Sequence, residues 1–119
     1  NVVNENGKGV YQGKIFVKDI AQKTNAYQLS KALILNDKAE FDAKPELEIY
    51  ADDVKCSHGS TSGSINADAI HYLMTRGIDA KTAKQLLING FLSEIIDNIS
   101  DTNLKKFVES TLEGQINGY

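Results

Sequence analysis

The chain has 119 residues, 41% of them hydrophobic and 24% charged, the make-up of an ordinary globular domain. Its 13 Lys and Arg against 16 Asp and Glu leave a formal net charge of −3. These charges are interspersed, so no basic stripe exists to neutralise phosphates and no nucleic-acid partner is expected. No apolar run approaches the roughly 20 residues that span a bilayer, and Asn1 to Lys8 lacks the apolar core of a signal peptide.

We therefore read a soluble, cytoplasmic chain with no membrane partner. Its one cysteine, Cys56, cannot form an internal disulfide and fits a reducing compartment. Asn1 through Gly9 holds no initiator methionine and runs straight into strand-like sequence, which predicts a piece of a longer protein.

From Val10 to about Ile65 the apolar signal comes in short runs: 14–17, Ala32 to Leu35, 39–41, Leu47 to Tyr50 and Val54 to Cys56. Such runs predict strands. They are punctuated by Gly13, Asn25, Asn36-Asp37 and Asp52-Asp53 at intervals too short for a sandwich of long hairpins. Stacked short rungs of a β-solenoid explain this spacing, each rung touching only its neighbours. The pattern alone also admits an ordinary antiparallel sheet.

After Ile65 the period becomes helical. Asn66 is positioned to cap a first helix carrying Ile70, Leu73 and Met74, which Gly77 ends after Arg76. Asp79 caps a second, with Ala83, Leu86, Leu87, Phe91, Ile95 and Ile96 as its apolar stripe, running to about Ile99. Ile88, Leu92 and Ile99 fall outside that stripe, so the apolar arc is wider than one small neighbour covers: either a partner docks on it or the flanking helices bury all of these side chains. Gly90 inside this helix points to close packing or a bend. Ser100 is the expected cap of a third helix with Leu104, Phe107, Val108, Thr111 and Leu112 on one side, and Gln115 to Tyr119 are expected to fray.

The richest chemistry lies in 52–61, Asp-Asp-Val-Lys-Cys-Ser-His-Gly-Ser-Thr. On a strand, Cys56 and His58 share a face, with Cβ atoms roughly 6 to 7 Å apart. Thiolate and imidazole suit zinc and iron-sulfur centres, but two ligands fall short of the usual four, so the rest would come from another chain or from sulfide. The alternative is that Cys56 is a small buried hydrophobe and His58 a satisfied turn residue. His71, beside Tyr72, reads as an ordinary helical residue. Asp52-Asp53 matches no calcium loop and reads as a turn. No signature of a cysteine protease is present, and Gly7-Lys8-Gly9 lacks the rest of a phosphate-binding loop, so the chain has no ATP site.

Several blocks, in this order and spacing, resemble the SufB/SufD family: Ala21-Gln22-Lys23-Thr24, Leu33-Ile34-Leu35, Lys44-Pro45-Glu46-Leu47-Glu48-Ile49, 51–59, Tyr72-Leu73 and Arg76-Gly77-Ile78. The resemblance covers nearly the whole chain. The Asp-Asp-Val-Lys-Cys-Ser-His-Gly block looks like the SufD branch in particular; one departure is Ser60, where the family typically has alanine.

This resemblance implies a right-handed parallel β-helix (residues 1–65, its C-terminal rungs) followed by a helical domain (66–119). It implies a non-enzymatic scaffold for iron-sulfur cluster assembly, pairing with a SufB-type subunit through the β-helix and holding a SufC-type ATPase on the helices. Cluster assembly would involve His58, and Cys56 beside it, on a transient cluster shared with the partner subunit. Tyr72, Arg76 and Phe91 are the residues expected near the ATPase. Pairing with a second copy, as in a SufB-like homodimer, and a purely structural interaction module are the competing readings.

Overall fold

Alternation of side chains, more than apolar runs, decides where the strands begin and end. The computed structural model describes residues 1–116. The chain divides into two units, Asn1–Ser64 and Ile65–Tyr119.

The first unit contains β1 (Val2–Val3), β2 (Lys8–Val17), β3 (Asn25–Ile34), β4 (Glu40–Ile49) and β5 (Lys55–Ser64). One sheet has the order β1-β3-β5 and a second joins β2 to β4. Every pairing is parallel: Val2 lies opposite Leu33, Lys8 opposite Glu40, and Asn25 opposite Lys55. The offsets of 31, 32 and 30 residues mark a repeat of two strands, one given to each sheet, which is compatible with a β-helix-like arrangement. The antiparallel alternative is thereby removed.

The strands are longer than the apolar runs predict, because those runs mark only part of each strand. Gly13 lies inside β2 and Asn25 opens β3, so neither is punctuation. Along β2 the even residues are exposed and the odd ones half-buried, ending in buried Val17. Along β3 the even residues Ala26 and Gln28 are half-buried and Ser30 and Ala32 buried, while Asn25, Tyr27 and Leu29 are exposed. Runs 39–41 and Leu47 to Tyr50 fall in or beside the single strand β4, which contains Pro45.

Proline survives there for a directional reason. Glu40 and Tyr50 donate their backbone N–H groups to Gly7 and Val17 on the β2 side. With unbroken register between them, odd-numbered Pro45 turns its nitrogen to the opposite edge, where no ladder bond is lost.

Outside, Lys8 bridges Glu40 and Asp42 at 3.2 and 3.1 Å, and Lys14 bridges Glu48 and Glu46 at 2.9 and 3.7 Å. A slip by one residue would turn these charges inward, so the ladder favours the observed register. At the turns, Asn36 donates through Nδ2 to Asn4 Oδ1 at 2.8 Å, stacking one connection on the next.

The second unit contains α1 (Ala67–Thr75), α2 (Ala80–Ile96) and α3 (Thr102–Ile116). Asn66 accepts from the Ala69 N–H and Asp79 from that of Thr82, the caps read from sequence. Gly77 at φ +89° takes the left-handed position that ends α1.

Three expectations need correction. First, α2 stops at Ile96, short of Ile99, and α3 is capped by Asp101, whose carboxylate accepts from the Asn103 and Leu104 N–H groups at 2.9 and 2.8 Å. A carboxylate answering two free amides and the helix N-terminal dipole outcompetes the Ser100 hydroxyl. Second, Ile88, expected outside the main stripe, is the fully buried residue of α2 alongside Ala83, while Leu86 and Ile95 are exposed. The buried face is rotated from the predicted one, and a Cβ added at Gly90 would meet nothing within 4 Å, so no close packing requires that glycine. Third, on α3 Leu104 and Phe107 are exposed, and Val108, Leu112 and buried Ile116 carry the packing. The helix therefore continues through Gln115 and Ile116, where fraying was expected; residues 117–119 lie outside the described residues.

Candidate functional site

β5 is nearly devoid of apolar side chains: its sequence Lys-Cys-Ser-His-Gly-Ser-Thr-Ser-Gly-Ser has none of the β-branched aliphatics that favour strands. Its extended form comes from pairing with β3 along its full length. This register fixes the site. Cys56 stands opposite Ala26, and His58 opposite Gln28. Directly paired residues face the same way, so both functional side chains point to the side occupied by Ala26, Gln28 and Ser30. The thiol is free and half-buried, and the imidazole is exposed.

The side chains behind them are polar. Gln28 Nε2 donates to Tyr11 Oη at 2.6 Å, linking β3 to β2. Room for that bond is made by Gly13, where a Cβ would collide with the Gln28 amide and the Tyr11 ring. Gln28 Oε1 and Ser30 Oγ are buried without a hydrogen-bond partner. Sequence reading missed Gln28 and Tyr11, since a polar residue inside a strand reads as outward-facing. The signal that could have found Gln28 is the small-or-polar series Ala26, Gln28, Ser30, Ala32 at one parity.

Asp52 and Asp53 form an exposed bend before β5. Asp53 takes part in stacking the turns: its N–H donates to Gln22 Oε1 at 2.9 Å, and its carbonyl accepts from the Lys23 N–H at 2.6 Å. Lys23 holds φ at 63°, a left-handed conformation within that turn. Among the described residues, no three His, Cys, Asp or Glu side chains are grouped to hold a metal ion.

In the helical unit Tyr72, on α1, and Arg76, the residue that caps its C-terminal end, meet one turn apart. The guanidinium lies 5.3 Å from the ring centroid, and Nη2 donates to the Tyr72 hydroxyl at 3.2 Å. Phe91 sits half-buried on α2. A groove between α2 and α3 is lined by Leu92, Ile96, Leu112 and Ile116, with Asn89, Ser93, Glu109 and Glu113. Among the described residues, no helix is long and apolar enough to cross a membrane.

These features define a class: a protein of parallel, rung-like strands joined to a helical unit, carrying a thiol and an imidazole side by side on its last strand. Residues 1–91 match the family model described as SUF system FeS cluster assembly, SufBD core domain. The chain belongs to this family and is of SufD type.

Over 104 residues it is 45% identical to an iron-sulfur cluster assembly SufBD family protein of Synechocystis sp., covering 87% of this chain and 23% of that protein. It is 40% identical over 117 residues to the iron-sulfur cluster assembly protein SufD of Escherichia coli, covering 98% of this chain and 28% of that one. A protein of Arabidopsis thaliana named as chloroplastic is 38% identical over 113 residues, 95% of this chain and 24% of its own. The chain thus spans about a quarter of the length of these relatives.

Proposed function

We propose that the chain is the C-terminal portion of a scaffold subunit for iron-sulfur cluster assembly, with no catalytic chemistry of its own. Residues 1–65 form the last rungs of a right-handed parallel β-helix and residues 66–119 a helical domain. The observation that carries the reading is the placement of Cys56 and His58 on one face of β5, in a chain of the SufD type.

The nascent cluster is cargo. His58 offers it an imidazole nitrogen from an exposed position, and Cys56 a thiol from a half-buried one. A cluster takes four ligands, so the others come from a SufB-type subunit docked on the β-helix or from bridging sulfide, and the cluster is held transiently between the two chains. The edge of β5 that is unpaired among the described residues is a physical route for such docking, because an unpaired strand edge presents a row of backbone donors and acceptors.

ATP hydrolysis belongs to a SufC-type ATPase held on the helical unit, near Tyr72, Arg76 and Phe91. Exposed Tyr72, Met74, Leu86, Ile95, Leu104 and Phe107 give that unit the apolar surface an interface core requires. We place the protein in the cytoplasm, or in the plastid where the organism has one.

Two experiments test the reading. In the complex reconstituted with its SufB-type and SufC-type partners, His58→Ala should abolish cluster formation while leaving the complex assembled; undiminished cluster formation would reduce the chain to a structural interaction module. A pull-down with the ATPase should succeed with the full chain and fail with one truncated after Ile65.

A further inference from the structure

The side chain directly behind His58 is Gln28, its register partner on β3. Three observations make Gln28 more than filler. It is anchored, since Nε2 donates to Tyr11 Oη at 2.6 Å. Its position is provided for, since Gly13 leaves the space that the amide and the Tyr11 hydroxyl fill. Its other end, Oε1, is buried with no hydrogen-bond partner. Buried carbonyl oxygens almost always find a donor.

Parallel strands lie about 4.8 Å apart, and Gln28 and His58 project to the same side. The imidazole is exposed. That spacing would let a His58 rotamer turned toward β3 offer a ring N–H to Oε1. Cys56 and Tyr11 are the titratable groups near this face, on β5 and β2.

We propose that Gln28 is a positioning residue for His58: its Oε1 accepts a hydrogen bond from one imidazole N–H, fixing the tautomer and ring orientation and aiming the other nitrogen's lone pair outward. A histidine that ligates a metal centre is commonly held by such a bond on its second nitrogen. Here the holding group is an amide clamped from behind by a tyrosine. Its value for cluster assembly rests on the role proposed above for His58; the hydrogen bond itself does not.

The test reads the tautomer. The full chain is labelled with nitrogen-15 in its imidazoles, and the two-bond proton-nitrogen couplings are measured where both histidines are neutral. His71, the other of the two histidines, is exposed on α1 and serves as an internal reference. We expect one tautomer to dominate at His58 and a solvent-like mixture at His71. The same mixture at both in the wild-type chain overturns the proposal without any variant, so a failure to fold cannot shield it.

Gln28→Met keeps the side-chain length and removes Oε1, and should return His58 to the mixture. Gln28→Glu restores an acceptor oxygen and should restore the single tautomer. An unchanged His58 in folded Gln28→Met also overturns the proposal.

In the reconstituted complex, Gln28→Met should slow cluster formation by about 10- to 100-fold. If His58→Ala abolishes assembly and Gln28→Met leaves it untouched, the positioning role is overturned. If His58→Ala leaves assembly intact, the function proposed above falls and the tautomer measurement alone decides this one.

Discussion

Gly13 on β2 sits where a side chain would strike the amide of Gln28 on β3. The two residues belong to different sheets, and their fit is what admits the Gln28 to Tyr11 hydrogen bond into the half-buried face of the strands.

Gly13→Ala should therefore destabilise the strand unit by about 1 to 3 kcal/mol, the usual result of overfilling a packed site. Denaturant unfolding followed by circular dichroism reads the loss. Combining it with Gln28→Ala should return part of that loss, because the nearer of the two collision partners, Gln28 and Tyr11, is gone, and simple additivity of the two changes would contradict the proposed fit.

Gly90 is the opposite case. A Cβ there meets nothing within 4 Å, and the residue lies inside α2 with ordinary backbone angles. Gly90→Ala should raise the stability of the helical unit by about 1 kcal/mol through helix propensity and the smaller entropy of the unfolded chain. A lower melting temperature would mean that something covers this position.

How far these features were legible differs between the two halves. The caps Asn66 and Asp79 could be read because capping is local: a short acceptor side chain three residues before a free N–H is visible in one dimension. The choice of Asp101 over Ser100 turns on which oxygen reaches two amides, a matter of geometry. The shared face of Cys56 and His58 follows from the period of two, and β5 bears it out. The length of β5 was hidden, because a Ser- and Gly-rich segment becomes a strand only through its pairing with β3. Gln28 was hidden for a related reason: that it stands behind His58 depends on a register offset of 30 residues, which local periodicity does not contain.

Asp79 gives the helical unit a dependence on pH. Its carboxyl is held below the ordinary carboxylate value, chiefly by the Thr82 hydroxyl, which donates to Oδ2 at 2.6 Å, and then by the Thr82 N–H. The folded form thus prefers the charged state. The cap's contribution is fully present above the unfolded carboxyl value of about 3.9 and is lost as pH falls through the lower folded value. Asp79→Asn keeps an acceptor but does not titrate. The stability difference between wild type and this variant should be constant near neutrality and change only under acid, as followed by thermal melts across pH. A difference that drifts between neutral and mildly acidic pH would assign the effect to another group.

Tyr72 and Arg76 act as one surface element, and that decides how the proposed ATPase contact can be tested. Tyr72 is 57% exposed, so its replacement by alanine removes little buried area and should leave the helices folded. If the pair lies in the interface, Tyr72→Ala and Arg76→Ala should each weaken ATPase binding on the order of tenfold, the scale of an aromatic or arginine anchor. The double variant should cost far less than the product of the two, because each single change already dismantles the ring and guanidinium contact. Phe91 is a poorer probe: it is half-buried, so Phe91→Ala opens a cavity, and lost binding would mix interface with stability. Titration calorimetry on the Tyr72 and Arg76 variants separates the cases. Full affinity in all three would move the interface elsewhere on the unit, with exposed Leu104 and Phe107 of α3 the next surface to probe.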